Sequence, residues 1–292
     1  MTRVLIAGCG DVGTELGIRL AGDGHTVWGL RRNCDKLPAG ISPFPADLTQ
    51  PDTLCSLPSA VDVVFYTAAP SSSSAENYRA TYVDGVRHLL SALVTQGHEL
   101  QRFIFASSTG VYAQQSGEWV DESSPTEPVH FSGRELLSAE QIVLRSGFPA
   151  IVVRLGGIYG PGRTRLIDSV RHGTAECTAG PPVYTNRIHR DDCAGVLQHV
   201  MQLTQPNSVY VAVDNEPAEQ STVLRWLALQ LGLPPPRTVP AGNADARGHR
   251  SNKRCRNTKL VEAGYVFRYP TFREGYHALL TTCDLFMITP VK

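Results

Sequence analysis

The chain has 292 residues, of which 27 are Lys or Arg and 27 are Asp or Glu, so its formal net charge at pH 7 is zero. No global field steers such a protein toward nucleic acid or an anionic membrane. A hydrophobic fraction of 42% beside 18% charged residues is that of a soluble globular chain, with no stretch of about 20 apolar residues to span a membrane.

The length suits one large domain or two small ones. The first strand signal begins at Arg3, which leaves no room for a signal peptide. Seven cysteines without paired spacing read as reduced thiols in a cytoplasmic protein. No spacing indicates a metal site.

Arg3, Val4, Leu5, Ile6 and Ala7 form a short run of buried-strand type that stops at Gly8-Cys9-Gly10-Asp11-Val12-Gly13. Val12, Leu16 and Leu20 then recur at helical spacing. Strand, glycine turn and helix in that order are the context that gives GxGxxG its meaning. One glycine makes the turn, the next lets backbone approach a pyrophosphate, and the third lets helix pack on strand. The free N–H groups of the helix start suit the anion.

The second strand, 26–30, ends in Arg31-Arg32. A site reading NAD usually places a carboxylate there for the ribose 2′-hydroxyl. Two guanidinium groups suit a 2′-phosphate instead, so NADP is favoured over NAD. The competing reading is a solvated arginine pair, with Asp35 reaching back to the ribose.

Strand and helix signals then alternate, the pattern of an α/β doubly wound parallel sheet. Strands are expected at 42–45 and 61–66, the latter ending in Thr67-Ala68-Ala69-Pro70, small residues that leave space in the sheet's crevice. One long helix is expected from 76 to 96, and a fifth strand at 102–106 leads to Ser107-Ser108. A helix at 133–146, a sixth strand at 150–155 and the turn-dense Gly156 to Gly162 follow. The pattern is irregular over 166–186. Beyond it lie a helix at 191–203, a strand at 208–213, a helix at 221–231, a proline-rich connection at 233–240, a basic patch at 250–259 and a last helix near 272–280.

These residues, together with Ala46-Asp47-Leu48, Val83-Asp84-Gly85, Phe103 to Tyr112, Arg154 to Gly162 and Arg187-Ile188-His189-Arg190-Asp191-Asp192, resemble the short-chain dehydrogenase/reductase superfamily. The match is to its extended branch of NAD-dependent epimerases and dehydratases, and within it to the atypical YeeZ-like members. The resemblance implies an NAD(P)-binding Rossmann domain over 1–165 and a smaller C-terminal α/β substrate-binding region over 166–292, with 187–213 returning to the sheet. It implies cofactor contacts from Gly8, Gly10, Asp11, Val12, Gly13, Asp47, Leu48, Thr67, Ala68 and Ala69. It places Ser108 as the catalytic hydroxyl, Tyr112 at the mouth, and Arg187, His189 and Arg254 on the substrate side. A homodimer through the helices at 78–96 and 133–146 is also implied.

The family's Tyr-x-x-x-Lys pair falls on Ser132 and Leu136. In that pair a Lys cation lowers the pKa of a phenol, otherwise about 10, so that it exchanges a proton with substrate at neutral pH. Serine facing leucine lacks this chemistry. The four lysines are Lys36, Lys253, Lys259 and Lys292, and no tyrosine has a lysine four positions on. His130, just before the helix, is the candidate replacement because imidazole titrates in the right range. Tyr82 and Tyr112 are weaker candidates, for want of a cationic neighbour.

Two functions fit. The first is an NAD(P)-dependent oxidoreductase or epimerase-like enzyme acting on a small anionic or nucleotide-sugar-like compound, with Ser108 and His130 catalytic. The anionic character rests on Arg187, His189 and Arg254, since guanidinium groups suit phosphate or carboxylate. The second is a catalytically inactive NAD(P)-binding sensor or regulatory protein.

Overall fold

The computed structural model describes residues 1–240 and 252–287. Its first half runs β1 (Arg3–Ala7), α1 (Asp11–Gly22), β2 (Thr26–Arg31), β3 (Ile41–Pro45), β4 (Val63–Tyr66), α2 (Ala75–Tyr78), α3 (Gly85–Thr95), β5 (Arg102–Ser108), β6 (Glu118–Val120), α4 (Phe131–Leu144) and β7 (Ala150–Leu155). Next come β8 (Gly157–Tyr159), α5 (Arg165–Arg171), β9 (Glu176–Thr178), β10 (Tyr184–Thr185), β11 (Arg187–His189), α6 (Arg190–Gln202) and β12 (Val209–Ala212). The described chain closes with β13 (Ala218–Glu219), α7 (Gln220–Gln230), β14 (Arg237–Val239), β15 (Lys253–Cys255), α8 (Thr258–Glu262) and α9 (Phe272–Met287).

Seven of these strands form one parallel sheet in the order β12-β7-β5-β4-β1-β2-β3. Strands covered on both faces read as unbroken apolar runs, and Val63–Tyr66 is buried at every position. Successive side chains point to opposite faces. Leu5, Val64, Phe103 and Phe105 therefore join a core with Val86, Leu89 and Leu136, while Val4, Ile6, Phe65 and Ile104 join another with Leu16, Leu20 and Val196. This is a Rossmann-like α/β fold. A third apolar cluster, including Tyr159, Ile167, Val223, Phe272 and Tyr276, lies in the C-terminal region. Strand order reverses between β1 and β4, and ligands bind such sheets at the carboxyl ends beside that reversal.

The single helix expected over 76–96 is interrupted by a π-type turn, Arg79–Asp84. Its cause lies beneath it. The buried Tyr66 hydroxyl donates to the Thr81 carbonyl, and a Cβ at Gly85 would stand 2.6 Å from that hydroxyl. Turns of this type change the facing of a helix and are frequent at functional sites. Here the turn brings Thr81 and Tyr82 to the cleft.

The irregular stretch 166–186 contains α5 and two short strands. β9 pairs with β14 and β10 with β13, so each ladder takes its partner from far along the chain. No helix among the described residues is long and apolar enough to cross a membrane.

Candidate functional site

The glycine turn after β1 has three different constraints. Gly8 has φ +87°, and a Cβ there would lie 2.2 Å from the Ala68 Cα. A Cβ at Gly13 would lie 2.8 Å from Thr67 Oγ1 and 2.9 Å from Ile6 Cγ2. At Gly10 it would meet only the Gly8 carbonyl, 3.9 Å away. Gly8 thus serves the close approach of two strand ends, Gly13 the seat of helix on strand, and Gly10 leaves open space facing the cleft. Gly10 also caps α1 without a side-chain hydrogen bond, so the first-turn N–H groups face that space. This vacancy at a helix N-terminus fits a pyrophosphate.

The cleft is a cavity of about 620 Å³ along the carboxyl ends of the sheet. Gly8, Gly10, Asp11 and Val12 line it after β1, Arg31 and Arg32 after β2, and Asp47 and Leu48 after β3. Thr67, Ala68 and Ala69 line it after β4, and Ser108 after β5. Gly13 lies behind the turn rather than in the wall.

Arg31 donates from Nη1 to the Cys9 carbonyl at 3.2 Å, which ties its guanidinium to the glycine turn, while Arg32 is exposed. Asp35 is not in the wall. The Asp47 carboxylate accepts from both the amide and the hydroxyl of Thr49.

Two wall features escaped sequence reasoning. Ala80 and Thr81 arrive through the π-type turn beside Tyr82, a candidate already named from sequence, and Arg163 arrives from the loop after β8. Arg163 Nε lies 2.5 Å from Asp11 Oδ2, and Arg190 Nη1 lies 3.5 Å from Asp11 Oδ1. The turn-dense Gly160-Pro161-Gly162 marks a loop at that place, but only the fold reveals that its arginine reaches α1.

Ser108 Oγ accepts from the Gly110 amide at 3.1 Å. Beneath it the side chains of Ser107, Glu140, Arg154 and Tyr112 form a buried chain, with Ser107 donating to Glu140 at 2.6 Å and Arg154 donating to the Tyr112 hydroxyl at 2.9 Å. Burial alone would lower the Arg154 pKa, but the Glu140 carboxylate outweighs it and the net shift is upward. Ser132 and Leu136 occupy the first turns of α4. His130 caps that helix, accepting the Ser132 amide at 3.3 Å with Ser132 Oγ 2.7 Å from its Nδ1.

His130, Tyr112, Arg187, His189 and Arg254 are not among the residues lining the cavity. Tyr112 is buried against Arg154. Arg187 is buried beside Tyr276 and Asp214. His189 caps α6 by accepting the Asp191 amide at 3.1 Å, and burial pushes its imidazole down to about 4. Arg254 is sandwiched between Trp119 and Tyr184 and donates to the Gly117 carbonyl at 2.8 Å. Within the basic patch Lys253 is buried, with its Nζ 3.4 Å from the Tyr112 carbonyl, while Arg256 is exposed. Arg250 lies outside the described residues.

A family model described as the NAD dependent epimerase/dehydratase family matches residues 4–210. The chain belongs to that family. Among curated relatives, the 3-diazoavenalumate denitrifying reductase of a Streptomyces species is 28% identical over 94% of this chain and 98% of its own. Protein YeeZ of Escherichia coli K12 is 27% identical over 92% of this chain and 97% of its own. A solved structure from Methylobacillus flagellatus shares 38% identity, with TM-score 0.79, over 97% of this chain and 99% of that one. The fold is shared at 22% identity and TM-score 0.79 by MoeE5, solved in complex with UDP-glucuronic acid and NAD, over 98% of this chain and 100% of that one. The family is NAD-dependent by description, and the glycine turn of this member has the space and N–H groups to receive such a nucleotide.

Proposed function

We propose that this family member is an NAD(P)H-dependent reductase that delivers hydride to a small organic electrophile without a Tyr-Lys proton donor. One observation carries this reading. Among the described residues lining the β4, β5 and β7 end of the cavity, Tyr82 is the titratable side chain, and burial, reinforced by Tyr78, pushes its phenol well above the ordinary range. A phenol so placed stays protonated at neutral pH and cannot act as the base that alcohol oxidation needs. Reduction of an activated electrophile asks less of the protein.

Gly8, Gly10, Asp11 and Val12 would hold the nucleotide's pyrophosphate, Arg31 and Arg32 a 2′-phosphate, and Asp47 and Leu48 the adenosine end. The absence of Asp35 from the wall and the engagement of Asp47 with Thr49 support NADP over NAD. Bound there, the reduced nucleotide supplies the hydride, two electrons and one hydrogen nucleus. Ser108 orients the acceptor through its hydroxyl, and any proton the product needs enters from solvent. The helices α3 and α4, where Val94 and Leu144 are exposed, are the place we assign to a homodimer contact.

The Streptomyces relative supports a reductase reading by its name. The test is NADPH carrying deuterium at C4, offered with a panel of activated carbonyls, imines and conjugated enones. The reading predicts deuterium on substrate carbon and at least a tenfold loss in Ser108→Ala. NADPH binding with no transfer to any member of the panel would favour the second reading, a non-catalytic sensor, which the same shortage of acid-base groups supports.

A further inference from the structure

We propose that the β4 and β5 end of the cavity receives a planar, uncharged, unsaturated group, aryl or aryl-enoyl, laid against the ring of Tyr82. The inference rests on the reductase reading above and names the substrate class for the same site.

The first ground is the distribution of charge. The ionised groups of the wall, Asp11, Arg31, Arg32, Asp47 and Arg163, all flank the glycine turn or the ends of β2 and β3. At the other end the wall carries no ionised group among the described residues: its polar members are Thr67, Ser71, Asn77, Thr81, Tyr82, Ser107 and Ser108, set among Ala68, Ala69, Ala80 and other apolar neighbours. A charged group placed there would be desolvated without a partner.

The second ground is hydrogen-bond capacity. Thr67 donates to the Gly8 carbonyl at 3.0 Å, Asn77 donates to Ser72 at 2.5 Å, Ser107 is bound to Glu140, and Ser108 accepts from Gly110. A sugar ring brings several hydroxyls that each need a partner when buried, and leaving them unpaired is costly. A planar conjugated group brings few.

The third ground is the aromatic row. Phe131 meets Tyr78 edge-on with centroids 5.3 Å apart, Tyr78 meets Tyr82 at 5.6 Å, and Tyr82 meets Phe105 edge-on at 6.3 Å. Phe131, Tyr78 and Tyr82 are all only half-buried. The row stands beside the start of α4, where Gly133 is pressed so close to the Gly110 carbonyl that a Cβ would come within 2.4 Å. Gly110 is the residue that holds Ser108, and of the row it is Tyr82 that lines the cavity with that hydroxyl, with Tyr78 and Phe131 packed behind it. Tyr82 is fixed in it by the Tyr66 bond to the neighbouring Thr81 carbonyl. Offset and edge-to-face contacts with such rings favour a flat π-system over a puckered saturated ring.

The test is calorimetry and saturation-transfer NMR on the full chain saturated with NADP⁺. Three probes are compared: cinnamamide, its saturated analogue 3-cyclohexylpropanamide, and UDP-glucose. Cinnamamide should bind about two- to tenfold more tightly than the cyclohexyl amide, the range one aromatic contact supplies, with transfer to its ring protons. Tyr82→Leu should erase that preference while NADP⁺ still binds. Equal affinity for the two amides, tighter binding of UDP-glucose, or binding of NADP⁺ with neither amide would overturn the aromatic subsite and leave the cofactor reading intact. A wild-type chain that binds no NADP⁺ would instead overturn the cofactor reading.

Discussion

The Ser107 hydroxyl donates to the buried Glu140 carboxylate at 2.6 Å, and Arg154 closes on the same carboxylate from Nη2 at 2.7 Å. This contact joins β5, α4 and β7 directly behind Ser108. It explains why a glutamate persists in the interior of α4 where hydrophobic periodicity asks for an apolar residue.

Glu140→Ala would leave the Arg154 charge buried without its partner. Loss of one member of such a pair costs about 3–5 kcal/mol. Urea unfolding should show that decrease, and a loss under about 1 kcal/mol would mean that Arg154 finds water or another acceptor.

Gly8 and Gly10 make opposite predictions. Gly8→Ala forces a Cβ into the Ala68 backbone at positive φ, so the fold itself should lose about 1–3 kcal/mol. Gly10→Ala meets open space, so thermal stability should hold while NADPH affinity falls at least about tenfold, or 1.4 kcal/mol. Melting curves with and without NADPH separate the two effects.

Arg32 and Arg31 also divide. Arg32 is exposed at the cavity edge, and Arg32→Ala should weaken NADPH binding by about 10- to 150-fold, the value of a charged hydrogen bond of 1.5–3 kcal/mol, with NADH unchanged. Arg31 also holds the Cys9 carbonyl, so Arg31→Ala should weaken both nucleotides. Paired titrations with NADPH and NADH give the answer, and equal losses in Arg32→Ala would place the 2′-phosphate elsewhere.

Asp214 is buried with one carboxyl oxygen unpartnered among the described residues, and burial pushes its pKa up to about 8. The folded state therefore keeps a proton that the unfolded chain has already released above its ordinary carboxyl pKa. Stability should fall as pH rises between about 4 and 8, by as much as about 1.4 kcal/mol per pH unit for one proton. Asp214→Asn should flatten that decline. Denaturant midpoints at pH 6 and 8 test it, and parallel slopes for the two proteins would show that Asp214 is ionised in the fold.

Much of the fold was legible because its signals are local. The run from Arg3 to Ala7 and the glycines after it prescribe strand, turn and helix from within about a dozen residues. Arg31 and Arg32 were legible as cavity residues because strand ends converge at the sheet's switch point. The substrate side was not. Arg187, His189 and Arg254 look like ligands in sequence, yet a buried cluster, a helix cap and an aromatic sandwich occupy them. The partners of Arg187 and Arg254 lie tens of residues away, beyond any periodicity, whereas the His189 cap is local, to the Asp191 amide two residues on. The π-type turn was hidden for the same reason, since it depends on Tyr66 reaching Thr81 from another layer.

The most direct test of the nucleotide site on which the account rests is titration of the purified chain with NADPH, followed by calorimetry and by the nucleotide's fluorescence. One-to-one binding is predicted, at least tenfold tighter than for NADH and lost in Gly10→Ala. Absence of heat and of any fluorescence change with both nucleotides at millimolar concentration would contradict it.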